Sequence, residues 1–178
     1  ESPLNPLSPY GETKMQAEAI LMESGNATAL RFATAFGLSP RLRLDLMIND
    51  FAFKAYTEGY LVVYEKDFLR TFIHVHDMGR AFLFALDNWS RTRNEIFNVG
   101  SESMNKSKQH ICELLKSKTD VYVHYADIGE DADKRDYVVS YDKIGSLGYT
   151  TTKTIEQGID ELFRAFDALK TSTEYSNA

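Results

Sequence analysis

The stretch PYGETKMQAEAILMESGNATALRFATAF, residues 9–36, contains a helix signal followed at once by a strand signal. Ser8 suits the N-cap position, Pro9 the first helical position and Gly25 the left-handed position after the last turn. The segment TALRFATAF, residues 28–36, is mostly apolar, as is typical of a strand buried on both faces of a sheet. A helix followed by such a strand is a basic unit of an α/β fold.

The remaining sequence repeats this alternation of helical and strand-like segments. We predict further helices at 45–58, at 78–88 after a capping Asp77, after a cap at Asn105 or Ser107, and from Thr154 onward, and strands at 60–64, 70–75, 95–100 and 120–126. On the last helix, Thr154 and Gln157 have the spacing of a capping box. An apolar stripe follows there at Ile155, Ile159, Leu162, Phe163 and Phe166. The fold class predicted from this order is α/β.

Length and composition suit one domain with a substantial core, since 43% of the 178 residues are apolar. The net charge of −6 argues against nucleic acid or an anionic membrane as the main partner. An anionic ligand must then be bound by a few local arginines. No apolar run approaches the roughly 20 residues that span a bilayer, and we expect no signal peptide.

Cysteine and histidine usage points away from thiol and metal chemistry. Cys112, the single cysteine, lies in the helical pattern QHICELLKS and is predicted to be a small core residue. A lone cysteine excludes a disulfide framework and fits a reducing, cytoplasmic compartment. The four histidines show no metal-ligand spacing, so we predict no metal site.

Tyr10 and Lys14 are four residues apart on the first predicted helix, so they share one face. A cationic ammonium beside a phenol favours the phenolate, which can exchange a proton with a sugar or alcohol hydroxyl near neutral pH. The spacing alone is weak, because Tyr149 and Lys153 repeat it in a β-branched run that is not expected to be helical.

Four motifs follow one another along the chain, and their order is more specific than any one of them: NPLSPYGETKMQAE, LRFATAFG, RTFIHVHDMGRAF and FNVG. With them the chain resembles, over nearly its whole length, the C-terminal part of an extended short-chain dehydrogenase/reductase of the NAD-dependent epimerase/dehydratase group. The resemblance implies a Rossmann-type fold with a smaller α/β substrate-binding domain and NAD as cofactor. It also implies that Tyr10 is the catalytic acid/base and that Lys14, besides assisting Tyr10, holds the nicotinamide ribose.

The same resemblance divides the chain into two parts. Residues 1–37 would end the dinucleotide-binding domain, and 38–178 would form mainly the nucleotide-sugar-binding domain, with 71–100 partly returning to the Rossmann sheet. The family's Gly-rich turn, which approaches the dinucleotide pyrophosphate, has no counterpart among the ten glycines. We therefore expect that turn and the family's catalytic Ser or Thr to lie upstream of residue 1, and the 178 residues alone to be inactive.

For the nucleotide sugar, the resemblance implies diphosphate contacts from Arg70, Arg135 and Asn49. A guanidinium suits this task because its planar fork makes paired, charge-assisted hydrogen bonds to phosphate oxygens. The alternatives are a surface ion pair for Arg70, a local salt bridge for Arg135 and a solvated position for Asn49.

The resemblance also places Ala33 and Thr34 beside the nicotinamide and the substrate, at the end of the strand LRFATAFG. Many relatives carry Asn where this chain has Thr34, which puts a direct substrate hydrogen bond there in doubt. Tyr64 would lie near the base through backbone contacts, and Tyr141 is a weaker substrate-binding candidate. Packing alone is the alternative for both tyrosines.

Taken together, the residues and the resemblance predict an NAD-dependent nucleotide-sugar epimerase, acting at C4 through a transient 4-keto sugar. A 4,6-dehydratase or a reductase of the same fold is the alternative, because the segment that distinguishes them is expected upstream of residue 1. From another class, a non-catalytic nucleotide-sugar-binding module is the rival. Relatives often dimerise through the Tyr/Lys helix, so we expect a homodimer of the intact protein.

Overall fold

The computed structural model describes residues 4–6, 8–127 and 136–169. The helices are α1 Pro9–Glu23, α2 Met47–Thr57, α3 Val75–Asp87, α4 Trp89–Thr92, α5 Lys108–Lys116, α6 Asp142–Gly145 and α7 Ile155–Leu169. The strands are β1 Thr28–Phe32, β2 Thr34–Phe36, β3 Tyr60–Tyr64, β4 Leu69–His74, β5 Glu95–Val99, β6 Asn105–Ser107 and β7 Tyr122–Ala126. This order confirms the α/β class. Within the described residues, no helix is long and apolar enough to cross a membrane.

The strands form three small sheets, and parallel pairs dominate them. β1 pairs with β5, β2 with β4, and β3 with β7, all in parallel, while β6 joins β4 antiparallel. The single strand predicted over 28–36 is wrong in one respect, because it divides at Ala33. The Ala33 N–H still donates to Val99 O at 3.1 Å, and from Thr34 onward the strand pairs with β4 instead of β5.

Two apolar clusters make up the core. The larger one joins α2, α5 and α7 to the β3–β7 sheet and includes the predicted α7 stripe, with Ile155, Ile159, Leu162 and Phe166 buried and Phe163 partly buried. The smaller one packs α3 and α6 against β1 and β5. Cys112 is fully buried in the larger cluster, which confirms its prediction as a core residue.

The first helix forms as its sequence predicts. The Ser8 hydroxyl accepts from Gly11 N–H at 3.2 Å, and Gly25 follows the helix with φ of +62°. None of its residues is buried. Its contact with β1 includes a two-pronged ion pair, in which Arg31 Nε and Nη2 donate to Glu18 at 2.8 and 2.6 Å.

The predicted capping of α3 by Asp77 is wrong. The helix begins at Val75, and the N-cap is His74, whose side chain accepts from His76 N–H at 3.2 Å. Asp77 lies inside the first turn and binds the segment before α7 instead. The capping box of Thr154 and Gln157 is confirmed, with reciprocal hydrogen bonds of 3.0 and 3.2 Å.

Candidate active site

Tyr10 and Lys14 lie together on the exposed face of α1, in its first turns. The ammonium of Lys14 is 5.5 Å from the centroid of the Tyr10 ring, within the range of a cation–π contact. Tyr10 is 71% exposed, and Lys14 is also exposed. The helix therefore presents a phenol and an ammonium side by side to whatever covers this face. The second Tyr-x-x-x-Lys pair, Tyr149 and Lys153, is not helical, as predicted.

The ion pair between Glu18 and Arg31 joins α1 to β1, and it indicates where Tyr10 and Lys14 lie relative to the ends of β1. A short connection joins α1 to β1, so the helix and the strand run in opposite directions. Lys14 lies one helical turn before Glu18, about 6 Å along the axis, and Ala33 lies two residues beyond Arg31, about 7 Å along the strand. We therefore expect Lys14 to lie near the level of Ala33, beside the carboxyl end of β1. Ligands of α/β sheets bind outside the carboxyl ends of strands.

Asn49 is buried on α2 and binds the backbone of the loop after β2. Its Oδ1 accepts from Gly37 N–H at 2.9 Å, and its Nδ2 donates to Arg43 O at 2.9 Å and to Gly37 O at 3.4 Å. Because its side chain is 1% exposed, the alternative of a solvated position is wrong. Asn49 fixes the loop three residues beyond Thr34, and its contact with a diphosphate stays a prediction.

Arg70 is 3% exposed, so the alternative of a surface ion pair is wrong. Its Nη1 donates to Leu69 O at 3.1 Å, and it has further partners. The neighbouring Leu69 N–H donates to the carboxylate of Asp136 at 2.8 Å, so the chain at residue 136 meets the start of β4. Arg135, the second predicted diphosphate ligand, lies outside the described residues.

Tyr141 belongs to the core between β4 and β5. Its hydroxyl is bound to that of Thr71, and its ring covers Gly100, where a Cβ would come within 2.5 Å of Tyr141 Cζ. Burial raises the pKa of Tyr141 to about 12, so the phenol stays protonated at neutral pH. These contacts account for Tyr141 as a packing residue, and a substrate contact from it stays a prediction.

A cavity of about 980 Å³ opens beside Tyr141, between the end of β5 and the segment that precedes α7. Nine of its lining residues carry hydroxyl groups, and five are charged, namely Glu102, Lys106, Asp142, Lys153 and Glu156. Tyr10, Lys14 and Arg70 are not among its lining residues. The cavity is therefore separate from the Tyr10–Lys14 face.

Tyr64 ends β3, and its backbone is held by a residue that the sequence did not single out. The carbonyl oxygen of Tyr64 accepts from Lys108 Nζ at 3.0 Å. Lys108 is 1% exposed and begins the buried stripe of α5, which continues at Ile111, Cys112 and Leu115. This i, i+3, i+4, i+7 spacing is the signal that predicts burial of a lysine here.

A polar cluster that sequence patterns do not reveal lies where β4 ends against α7. His74 Nδ1 accepts from His76 N–H, so the neutral ring carries its proton on Nε2, 3.1 Å from Glu161 Oε2. Burial lowers the pKa of His74, although the facing Glu161 opposes that shift. A hydrogen bond from Lys153 at 2.6 Å is the chief reason why the pKa of Glu161 is lowered.

Residues 1–100 match the NAD dependent epimerase/dehydratase family, and the chain belongs to that family. It is 28% identical over 148 residues to the UDP-glucose 4-epimerase of Lactobacillus helveticus. That match covers 70% of this chain and 44% of the relative, so the chain spans less than half the relative's length. The family is NAD dependent. Extended short-chain dehydrogenase/reductases are among the structural neighbours of this chain.

Solved structures share the fold. A UDP-glucose 4-epimerase from Thermotoga maritima, solved with UDP-glucose, superposes with a TM-score of 0.75 at 25% identity, covering 94% of this chain and 56% of that one. A dTDP-glucose 4,6-dehydratase from Bacillus anthracis, solved with NAD, gives 0.77 at 23% identity, covering 99% and 56%. The second likeness is one of fold alone. Both neighbours are Rossmann-type proteins, as the sequence predicted.

Proposed function

We infer that the intact protein is an NAD-dependent nucleotide-sugar epimerase acting at C4. The observation that carries this proposal is the exposed Tyr10–Lys14 pair on α1, in a member of the epimerase/dehydratase family. A curated relative that is a UDP-glucose 4-epimerase supports the reaction class. Residues 1–37 would complete the dinucleotide-binding domain, and the remainder would carry most of the sugar-nucleotide site.

The donor set on α1 fits the ribose of a nicotinamide dinucleotide. An exposed ammonium and an exposed phenol lie side by side there, and both can donate to ribose hydroxyls. Lys14 and Tyr10 would hold that ribose, with the backbone of Ala33 beside the nicotinamide. NAD, when bound, would supply hydride acceptor and donor chemistry at C4 of the sugar.

The residues of this chain would move the proton and hold the nucleotide. Tyr10 would take the proton from the sugar 4-hydroxyl and later return it to the 4-keto oxygen. Lys14, whose ammonium lies 5.5 Å from the centroid of the Tyr10 ring, would place a positive charge beside this transfer. Arg70, Asn49 and Arg135 would bind the diphosphate, Thr34 the sugar and Tyr64 the base, so that the sugar alone rotates.

A 4,6-dehydratase is the second candidate, because a curated relative with that activity matches 89% of this chain at 24% identity. The two reactions share removal of the C4 hydrogen and differ in the next step. An epimerase returns the hydride to the opposite face of C4, whereas a dehydratase eliminates water across C5 and C6. We also propose a homodimer in which α1 is covered, since Ile20 and Leu21 are 68% and 58% exposed on it.

The test is to incubate the intact protein and NAD⁺ with UDP-, GDP-, dTDP- and CDP-sugars and to identify products by NMR and mass spectrometry. We expect one nucleotide sugar to give its C4 epimer with unchanged mass. A product lighter by one water would replace the epimerase with the dehydratase. Binding of a nucleotide sugar without any product, at saturating NAD⁺, would favour a non-catalytic module and contradict both.

A further inference from the structure

Lys108 is a buried cation that the proposed reaction does not use. It is 1% exposed at the first residue of α5, and its Nζ donates to the carbonyl oxygen of Tyr64 at 3.0 Å. Burial of an ammonium is costly unless polar and charged partners compensate for lost hydration. The groups that contact the Lys108 ammonium are therefore the ones that this side chain holds in place.

Glu65 is a charged partner of Lys108, and it directly follows Tyr64. Its Oε2 lies 3.8 Å from Lys108 Nζ. That oxygen is buried and, within the described part of the chain, accepts no hydrogen bond. Glu65 also has a φ of +50°, a left-handed conformation that a residue with a side chain keeps only where its surroundings impose it. Lys108 thus contacts both Tyr64, the last residue of β3, and Glu65, the first residue after it.

The turn from β3 to β4 is anchored by the same end of α5. Gln109 N–H donates to Lys66 O at 2.9 Å, and Phe68 N–H donates to Glu65 O at 3.1 Å within the turn. This turn joins two predicted sugar-nucleotide residues, with Tyr64 at its start and Arg70 one residue after β4 begins. The first turn of α5 therefore sets the spacing between the proposed base contact and the proposed diphosphate contact.

We propose that Lys108 is a positioning residue for the nucleotide-diphosphate subsite, which it serves by fixing the Tyr64 carbonyl and, with Glu65, the turn that leads to Arg70. The proposal rests on the proposed function. Lys108 contacts Tyr64 and Glu65 at the end of β3, beside the proposed base contact, so we expect it to act on binding of the nucleotide. Its loss changes KM and leaves kcat near the wild-type value.

The experiment compares Lys108→Met with the wild-type intact protein, because Met keeps an unbranched apolar stem and removes the ammonium. UDP, GDP, dTDP and CDP are titrated separately by calorimetry. For the nucleoside diphosphate that the wild type binds, we expect Kd to rise about tenfold, since a hydrogen bond from a charged donor is lost. KM rises in parallel, and kcat stays within about threefold.

Lys116→Met is the matched control, because Lys116 lies on the same helix, is exposed, and pairs with Glu113 at 3.0 Å. It should keep the wild-type Kd. Amide hydrogen exchange adds a readout that does not depend on activity: residues 64–69 should exchange faster in Lys108→Met, while α1 is unchanged. Should Lys108→Met fail to fold, Glu65→Gln tests the same turn, with Kd expected to rise about threefold.

Each outcome decides the proposal. Wild-type affinity for the nucleoside diphosphate in Lys108→Met, or in Glu65→Gln if only that variant folds, overturns the positioning role and leaves the proposed function intact. A fall in kcat as large as the rise in KM also overturns it. If the wild type binds none of the four nucleoside diphosphates, the proposed function fails and the positioning role fails with it.

Discussion

Arg70 is a buried guanidinium next to the point where residue 136 meets β4. If it binds the diphosphate, the planar fork matters as well as the charge. Arg70→Lys keeps the charge and loses the fork, so we expect KM for the nucleotide sugar to rise about tenfold with kcat within about threefold. Steady-state kinetics of the intact protein measures both values.

Arg91→Lys is the control for Arg70, because Arg91 is exposed on α4 and its guanidinium makes a long contact, 3.5 Å, to Leu147 O. It should leave both kinetic constants unchanged. A folded Arg70→Lys protein with the wild-type KM would remove Arg70 from the diphosphate site.

Asp77 is a fully buried carboxylate that joins α3 to the segment before α7. Burial alone would raise its pKa, but hydrogen bonds from Lys153 N–H, Thr152 and Arg80 outweigh burial, and the pKa of Asp77 is lowered. The carboxylate therefore adds stability above the unfolded pKa, and this contribution is lost as the pH falls through the folded pKa.

Asp77→Asn places an NH₂ group against backbone N–H donors and removes the charge paired with Arg80. We expect the free energy of unfolding to fall by about 3 kcal/mol at pH 7, measured by urea denaturation. Asp87→Asn, exposed at the end of the same helix, should change it by less than about 0.5 kcal/mol. Equal stability of the two variants would contradict this account of Asp77.

At the residue level, the chemistry of a side chain can be predicted from the sequence more readily than the groups that surround it in the fold. Tyr10 and Lys14 could be placed on one face because helical spacing is local. The burial of Lys108 follows from its spacing on the apolar face of α5, but its contact with Tyr64 could not be predicted, because it joins residues 44 apart. Asn49 was correctly placed on a helix, but its bonds to the loop after β2 depend on tertiary structure.

Among the elements, helix ends could be predicted from local signals and strand partners could not. Ser8, Gly25 and the capping box at Thr154 are short-range patterns, and the structure confirms them. The division of the 28–36 strand at Ala33 depends on Val99 and β4, which are distant in sequence. An apolar run shows that a strand is buried, but it does not show which partner it pairs with.

The contact of α7 with β2 and β4 depends on a glycine. A Cβ at Gly158 would collide with Phe36 Cε2 and lie 3.1 Å from His74 Cδ2, so the helix approaches the Phe36 ring more closely than a larger residue permits without a shift. We expect Gly158→Ala to lower the free energy of unfolding by about 1–3 kcal/mol, because the contact must open.

Gly79→Ala is the matched control on another helix, since a Cβ at Gly79 in α3 would meet nothing within 4 Å. It should raise the free energy of unfolding by about 0.5–1 kcal/mol, because alanine restricts the unfolded chain and favours helix. Chemical denaturation of both variants tests the contrast. If Gly158→Ala leaves the free energy of unfolding unchanged or raises it, α7 does not require the close approach.

For the molecule as a whole, His74 makes the free energy of unfolding depend on pH near the physiological range. Its pKa is lowered by burial, against the opposing effect of the facing Glu161. Lys153 adds to the lowering and Asp77 opposes it. A histidine with a lowered folded pKa adds stability above its unfolded value, about 6.5. That contribution is lost as the pH falls below this value towards the folded pKa.

We therefore expect the wild type to lose more unfolding free energy between pH 7.5 and 5.5 than His74→Gln does. His124→Gln, with an exposed histidine on β7, should behave as the wild type. Urea denaturation at both pH values gives the differences required. Parallel losses in the wild type and His74→Gln would exclude His74 as the source of the dependence.

The family could be predicted because the order of four motifs is a property of the whole chain, and the match over residues 1–100 confirms it. The domain boundaries and the reaction at C4 remain predictions. The match covers 44% of the length of the curated epimerase relative. The choice between epimerase and dehydratase is therefore decided by the product analysis proposed above.

The most direct test of the central claim is turnover by Tyr10→Phe in the intact protein, with NAD⁺ and the nucleotide sugar that the wild type converts. We predict that kcat falls about a thousandfold, because the proton acceptor is removed, while Kd for the nucleotide sugar stays within about threefold. Tyr122→Phe, 65% exposed on β7, should keep the wild-type rate. Turnover by Tyr10→Phe at the wild-type rate would contradict the claim that Tyr10 is the acid/base.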